Sequence, residues 1–158
     1  MKAEEAEKTY LKLVRFCLYR ERCTKEVYEK MHLLKMHLNE RNKWCKRLIE
    51  DGYLNEKRFA SAIVHDKFSL KKWGRNRILF ELKLKAIPAA YIEEAMERIE
   101  EEEYEKTLMD LAQKKWHLLA KETNRFQRIV KTKNYLVSKG YEFDKIDKTV
   151  KIISQRHE

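Results

Sequence analysis

The side chains best placed to do chemistry in this sequence are cations. Lys71, Lys72, Arg75 and Arg77 crowd the stretch KKWGRNRILFELKLK, and Lys83 and Lys85 close it. Ammonium and guanidinium groups this dense bind phosphate or carboxylate; alone, they do not break bonds. Two further groups are Arg41, Lys43, Lys46 and Arg47, and Lys131, Lys133, Lys139, Lys145 and Lys148. Trp73 stands inside the first group. Its expected role is to staple its helix by packing on Arg77 or Ile78, and its alternative role is a stacking platform for a base. Patterns that carry catalysis are missing. His32 and His37 are five apart rather than four, and no HExxH, P-loop or GxSxG occurs. Cys17, Cys23 and Cys45 lack CxxC spacing and read as reduced thiols. No catalytic residue, metal or cofactor is assigned, and a non-enzyme is expected. The four-residue acidic run Glu100–Glu103, with Glu97 and Glu105 beside it, opposes pure DNA binding and reads as a solvated helix face.

The elements that must position these residues are helices. Of 158 residues only three are Gly and one is Pro, which leaves few chain breaks. Apolar residues recur at helical spacing: Tyr10, Leu13, Val14 and Cys17; then Phe59, Ala62 and Ile63; then Ile92, Ala95, Met96 and Ile99. Pro88 suits the first turn of the last of these helices. Asn55 is placed to cap the helix starting near Glu56, and Asn39 the helix carrying Trp44. Gly74 is expected to allow a tight turn into the helix of Ile78 and Leu82, whose N-terminal N–H groups would add to the attraction for anions. The formal net charge of +10 points to a polyanionic or acidic partner. No apolar run approaches the roughly 20 residues of a membrane span, and a cytoplasmic, membrane-free protein is expected.

The chain also repeats. At an offset of 49, Tyr10, Phe59 and Leu108 align, as do Leu13, Ala62 and Leu111, and Val14, Ile63 and Ala112. At an offset of 54, Leu82 meets Leu136, Ile87 meets Tyr141, Ile92 meets Ile146 and Met96 meets Val150. In the second set a helix ends at Lys85 or Lys139, and a small residue, Ala86 or Gly140, follows. These matches predict an all-α, elongated array of three tandem three-helix repeats, helix-turn-helix-like, over residues 1–50, 51–102 and 103–158.

The middle module, LIEDGYLNEKRFASAIVHDKF followed by KKWGRNRILFELKLKAI, resembles the RecX family of recombinase modulators. The matching positions are Gly52, Tyr53, Leu54, Glu56, Arg58, Phe59, Ala60, Gly74, Ile78, Leu82, Lys85 and Ile87. The third module, with LAQKKW and KTKNYLVSKGYEFDKI, is similar to the family, and the first matches more loosely. Asn55 stands where the family commonly has Asp. Ala86 replaces a usual Gly, so that helix is expected to need a different stop, aided by Pro88. The resemblance implies a regulator that lies in the groove of the RecA–single-stranded-DNA filament and suppresses strand exchange, ATP hydrolysis and co-protease action. Its implied partners are RecA and single-stranded DNA, with weak duplex binding, and its implied state is a monomer. The binding residues expected are Lys71, Lys72, Trp73, Arg75, Arg77, Lys83, Lys85, Lys131, Lys133 and Lys139. The alternative is a stand-alone helix-turn-helix DNA binder, against which Glu93, Glu94 and Glu97 stud the would-be recognition helix.

Overall fold

The structure, a computed structural model, describes residues 2–156. Among these residues there are nine helices and no strand: α1 (Ala3–Tyr19), α2 (Thr24–Leu33), α3 (Leu38–Glu50), α4 (Glu56–Ser69), α5 (Arg75–Leu84), α6 (Ala89–Met96), α7 (Glu101–Leu118), α8 (Arg125–Lys139) and α9 (Phe143–Arg156). None is long and apolar enough to cross a membrane. The chain divides into two compact units, Met1–Ile63 with Leu82–Glu93, and Val64–Glu81 with Glu94–Glu158.

In the first unit, α1, α2 and α3 bury Leu13, Val27, Met31 and Leu48 completely. Each such side chain contributes about 1.5–3 kcal/mol on removal from water. The Tyr10 and Trp44 rings meet at 5.5 Å, and the Arg47 guanidinium lies 3.7 Å over Tyr10. The Tyr10 hydroxyl donates to Asp51. Cys17, Cys23 and Cys45 are free and buried, and burial pushes the first two thiols up to about 11. The buried Glu26 carboxylate ties together three elements. It accepts from Arg20 at the end of α1 (2.6 Å), from the Cys23 N–H before α2 (3.2 Å) and from Lys85 after α5 (3.4 Å).

In the second unit α7, α8 and α9 pack on one another. Tyr104, Leu108, Ala112 and Trp116 repeat every four residues along α7 and are buried, facing a core that includes Leu136, Ile146, Val150 and Ile153. Phe68, Tyr104 and Tyr141 form a ring chain with centroids 5.8 and 5.1 Å apart.

Four helices stop in one way; α3 does so at Gly52 (φ 82°), where the Tyr53 N–H reaches the Leu48 carbonyl (2.9 Å). After α2, α5 and α8 the chain turns left-handed at Lys35 (φ 57°), Ala86 (φ 56°) and Gly140 (φ 100°). The next N–H reaches back five residues in each case: Met36 to Met31 (3.0 Å), Ile87 to Leu82 (3.2 Å) and Tyr141 to Leu136 (3.2 Å). Met36, Ile87 and Tyr141 are then buried. This is the Schellman-type stop. The expectation that Ala86 needs a different stop is therefore corrected: Ala86 adopts the glycine conformation, and the buried Ile87 and the backbone bonds hold it there.

Asn55 caps α4, accepting from the Arg58 N–H at 2.9 Å. Asn39 does not cap α3; that helix begins one residue earlier, at Leu38, and the imidazole of His37 accepts from the Asn39 N–H (3.4 Å). The Pro88 carbonyl opens α6, which ends at Met96, so buried Ile99 belongs to the following turn. The offset of 54 joins buried pairs at Leu82/Leu136, Ile87/Tyr141 and Ile92/Ile146. The offset of 49 slips on α4. Tyr10, Phe59 and Leu108 are all buried, but Ala62, Ile63 and Leu111 are half-buried, and α4 buries Ala60, Val64 and Phe68 instead.

Candidate partner-binding surface

The Trp73–Gly74 turn meets the Gly140 stop inside the second unit. The Gly74 N–H donates to the Lys139 carbonyl (2.7 Å), and the Asn76 N–H to the Gly140 carbonyl (2.9 Å). The Arg75 N–H donates to the Tyr104 hydroxyl at 2.9 Å. A Cβ on Gly74 would collide with the backbone of Gly140 and Tyr141, and one on Gly140 with the backbone of Arg77. Gly74 is thus required by close approach, not by the turn; the left-handed residue there is Lys72 (φ 60°). These bonds also occupy the first N–H groups of α5, so this helix terminus is not the open anion site expected from the sequence. Trp73 is half-buried, with the Arg77 guanidinium 3.9 Å and the Lys67 ammonium 4.6 Å from its ring centre, which matches the stapling role.

Three cations, Lys71, Arg77 and Lys139, converge at this crossing without a carboxylate partner among the described residues, and exposed Lys72 adjoins them in sequence. Lys139 donates to the Lys71 carbonyl (2.9 Å), Arg77 donates to the Ser138 carbonyl (3.3 Å), and the Tyr141 hydroxyl holds the Lys72 carbonyl (2.9 Å). Desolvation, then the charges of Arg77 and Lys71, lower the Lys139 pKa below the usual lysine range. Such mutual crowding of positive charge is relieved by an incoming anion.

Several of the other predicted cations are spent internally, whereas Lys43, Lys46, Lys83 and Lys148 are exposed and pair with no described carboxylate. Arg75 pairs with Glu101 (2.6 Å) and Glu142 (3.1 Å) and lies 3.8 Å over the Tyr104 ring. Tyr104 in turn donates to Glu142, and its burial, reinforced by that bond, raises its pKa. Lys85 pairs with Glu26, Lys131 with Glu122 (2.6 Å) and Lys133 with Asp147 (2.8 Å). Lys83 is exposed and outside the crossing. In the group on α3, Arg41 donates to the Met36 carbonyl, and Arg47 pairs with Glu7 and Asp51. The acidic run is likewise divided. Lys145 and Arg75 hold Glu101 below the usual carboxylate range, whereas Glu100, Glu102 and Glu103 are exposed. Among the family-motif positions, Leu54, Phe59, Ile78, Leu82 and Ile87 are core, and Arg58 reaches Glu21 and the Gly52 carbonyl. Gly52 (φ 82°) follows α3 and has open space around it, and Tyr53 packs on the first-unit core. No group of three or more metal-ligating side chains forms among the described residues.

Residues 55–96 match the description "RecX, second three-helix domain", and residues 101–150 match "RecX, third three-helix domain". "Regulatory protein RecX" of Clostridium botulinum (strain Eklund 17B / Type B) is 34% identical over 128 residues, 80% of this chain and 59% of that protein. Its counterpart in Clostridium beijerinckii is 28% identical over the same shares. The chain thus spans 59% of the length of these relatives. A crystal structure of RecX from Lactobacillus salivarius superposes with a TM-score of 0.83 at 23% identity, covering 98% of this chain and 99% of that one. A second, titled "Crystal structure of regulatory protein RecX", gives 0.80 at 18% identity over 89% and 69%. These two establish the fold alone. With two family domains matched over residues 55–96 and 101–150 and these relatives beside them, the chain belongs to the RecX family of regulatory proteins.

Proposed function

We propose that the protein binds the RecA–single-stranded-DNA filament in the cytoplasm, lies in its groove, and inhibits strand exchange, ATP hydrolysis and co-protease action. It acts by occupancy, without chemistry of its own. Three modules, residues 1–50, 51–102 and 103–158, engage successive points along the filament, so contacts that are weak singly gain strength through effective concentration. The observation that carries this reading is the unneutralised patch of Lys71, Lys72, Arg77 and Lys139 at the Gly74–Gly140 crossing. Its anion is a filament phosphate or carboxylate, and Trp73 backs it by holding Arg77 in place. Arg75, Lys85, Lys131 and Lys133 support the fold of this binding body rather than touching the partner.

The test is ATP hydrolysis by RecA on single-stranded DNA at two salt concentrations. The protein should inhibit more strongly at low salt, and changing Lys71, Lys72, Arg77 and Lys139 together to Glu should weaken inhibition about tenfold or more with helix content unchanged. Equal inhibition by this variant would sink the assignment of the patch. No inhibition by the unaltered protein in either salt would sink the functional reading itself.

A further inference from the structure

The outer face of α1 carries a pattern that the proposed filament patch does not use. Leu11, Leu18 and Tyr19 are 50%, 68% and 84% exposed. Lys8, Lys12 and Arg15 are exposed between them, at spacings that place all six on the side opposite buried Tyr10, Leu13, Val14 and Cys17. No acidic residue occurs from Lys8 to Arg20, and no described carboxylate pairs with these three cations. A face that mixes unpaired cations with exposed leucines is matched by an acidic surface with an apolar seat.

The chain itself carries such a surface. Glu97, Glu100, Glu102 and Glu103 are exposed, with carboxylates that no described cation neutralises. Next to them Glu105 borders a groove of about 240 Å³ between α7 and α9, lined by Met109 and Ile152, with Lys145 and Lys148 on its other rim. We propose that the α1 face of one copy docks on the acidic segment 97–105 of a second copy. Charge complementarity selects this occupant over nucleic acid. Phosphates would leave Leu11 and Leu18 in water and the glutamates unpaired, whereas a second copy satisfies both surfaces together. The two surfaces differ, so the contact is heterologous and repeats from copy to copy instead of closing as a two-fold dimer. It is weak in free solution because the net charge of +10 opposes it, and it strengthens where copies are laid side by side. The inference concerns the protein alone, so it stands or falls separately from filament inhibition.

Sedimentation velocity over a concentration series tests it. The unaltered protein should sediment faster with concentration at low salt and as a monomer at high salt. One variant carries Lys8→Glu, Lys12→Glu and Arg15→Glu; another carries Glu97→Lys, Glu100→Lys and Glu102→Lys. Each alone should stay monomeric, and mixing the two should restore association, because both contacts are then complementary again. Circular dichroism checks that both variants fold. An unaltered protein that stays monomeric at low salt, or folded variants that do not associate on mixing, overturns the inference. So does an α1 variant that loses binding to a single-stranded oligonucleotide or to anionic vesicles while the unaltered protein shows no self-association.

Discussion

At the residue scale, what matters is which charges are already committed. Along the sequence Arg75 and Arg77 look alike, two cations flanking one asparagine. Arg75 is engaged by Glu101 and Glu142, 26 and 67 residues away, and nothing local announces this. Arg77 meets only a carbonyl and a tryptophan ring. Sequence reading therefore found the basic turn and its Trp staple but not which of its cations are free, because ion pairs form between elements that only the fold brings together. Glu26 makes the same point with the opposite sign. Nothing in its sequence neighbourhood marks it, yet it is the buried anchor of Arg20, Cys23 and Lys85. Burial works to raise its pKa, but the Arg20 and Cys23 hydrogen bonds and the Arg20 and Lys85 charges outweigh burial and hold it below the usual carboxylate range. A folded-state pKa below the unfolded one stabilises the fold above the unfolded value of about 4.3 and is lost as pH falls through the folded value. Glu26→Gln should cost about 1–2 kcal/mol at neutral pH in urea unfolding, a modest figure because both cations are partly solvated. The difference from the unaltered protein should close as pH drops below about 4. A gap that stays constant down to acid pH would show that Glu26 acts through packing and not charge.

At the element scale, the helix stops show how a repeat persists while its residues change. The offset of 54 was legible because Leu82/Leu136, Ile87/Tyr141 and Ile92/Ile146 keep their apolar character. The first copy of the stop was not legible, since Lys35 bears no resemblance to glycine. Its geometry is set by backbone bonds and by buried Met36, neither of which leaves a signature at position 35. The α4 stripe is not legible to the residue because alanines lie on both its buried and half-buried faces (Ala60 and Ala62) and half-buried Ile63 adjoins buried Val64. The shared stop gives a prediction in which one kind of position yields opposite signs. Ala86→Gly removes left-handed strain of about 1–2 kcal/mol and adds unfolded-state entropy of about 0.5–1 kcal/mol. A net stabilisation of about 0.5–1 kcal/mol is expected. Gly140→Ala adds the same strain and also drives a Cβ into the Arg77 backbone, so it should destabilise by about 3 kcal/mol or more. Thermal or urea unfolding of both variants decides it. If Ala86→Gly destabilises, the left-handed conformation at Ala86 carries no strain, and the geometry shared across these stops is not energetic in origin.

At the scale of the whole molecule, the +10 surplus was visible in the composition, but its useful part is not spread evenly. Many cations are neutralised by carboxylates within their own unit, and the crossing of Gly74 with Gly140 collects Lys71, Arg77 and Lys139, with exposed Lys72 next in sequence, without such neutralisation. Binding to single-stranded DNA releases counterions in proportion to the phosphates contacted, with a slope of log K against log salt of about 0.7 per phosphate. Cations already paired with carboxylates release few on binding. The double variant Lys131→Gln, Lys133→Gln removes two positive charges that Glu122 and Asp147 hold, and should change the slope by less than about 1. The quadruple variant Lys71→Gln, Lys72→Gln, Arg77→Gln, Lys139→Gln should flatten it by about 3, the value for four phosphate contacts. Fluorescence anisotropy of a labelled single-stranded oligonucleotide, titrated across a salt series, measures both. Slopes that fall only in proportion to net charge, two for four, would mean that the protein acts on DNA as a diffuse polycation. A loss confined to the quadruple variant would mean that the anion meets the protein where the second and third modules' glycines cross. There the same backbone contacts that lock α5 to the end of α8 also bring Lys71, Arg77 and Lys139 together.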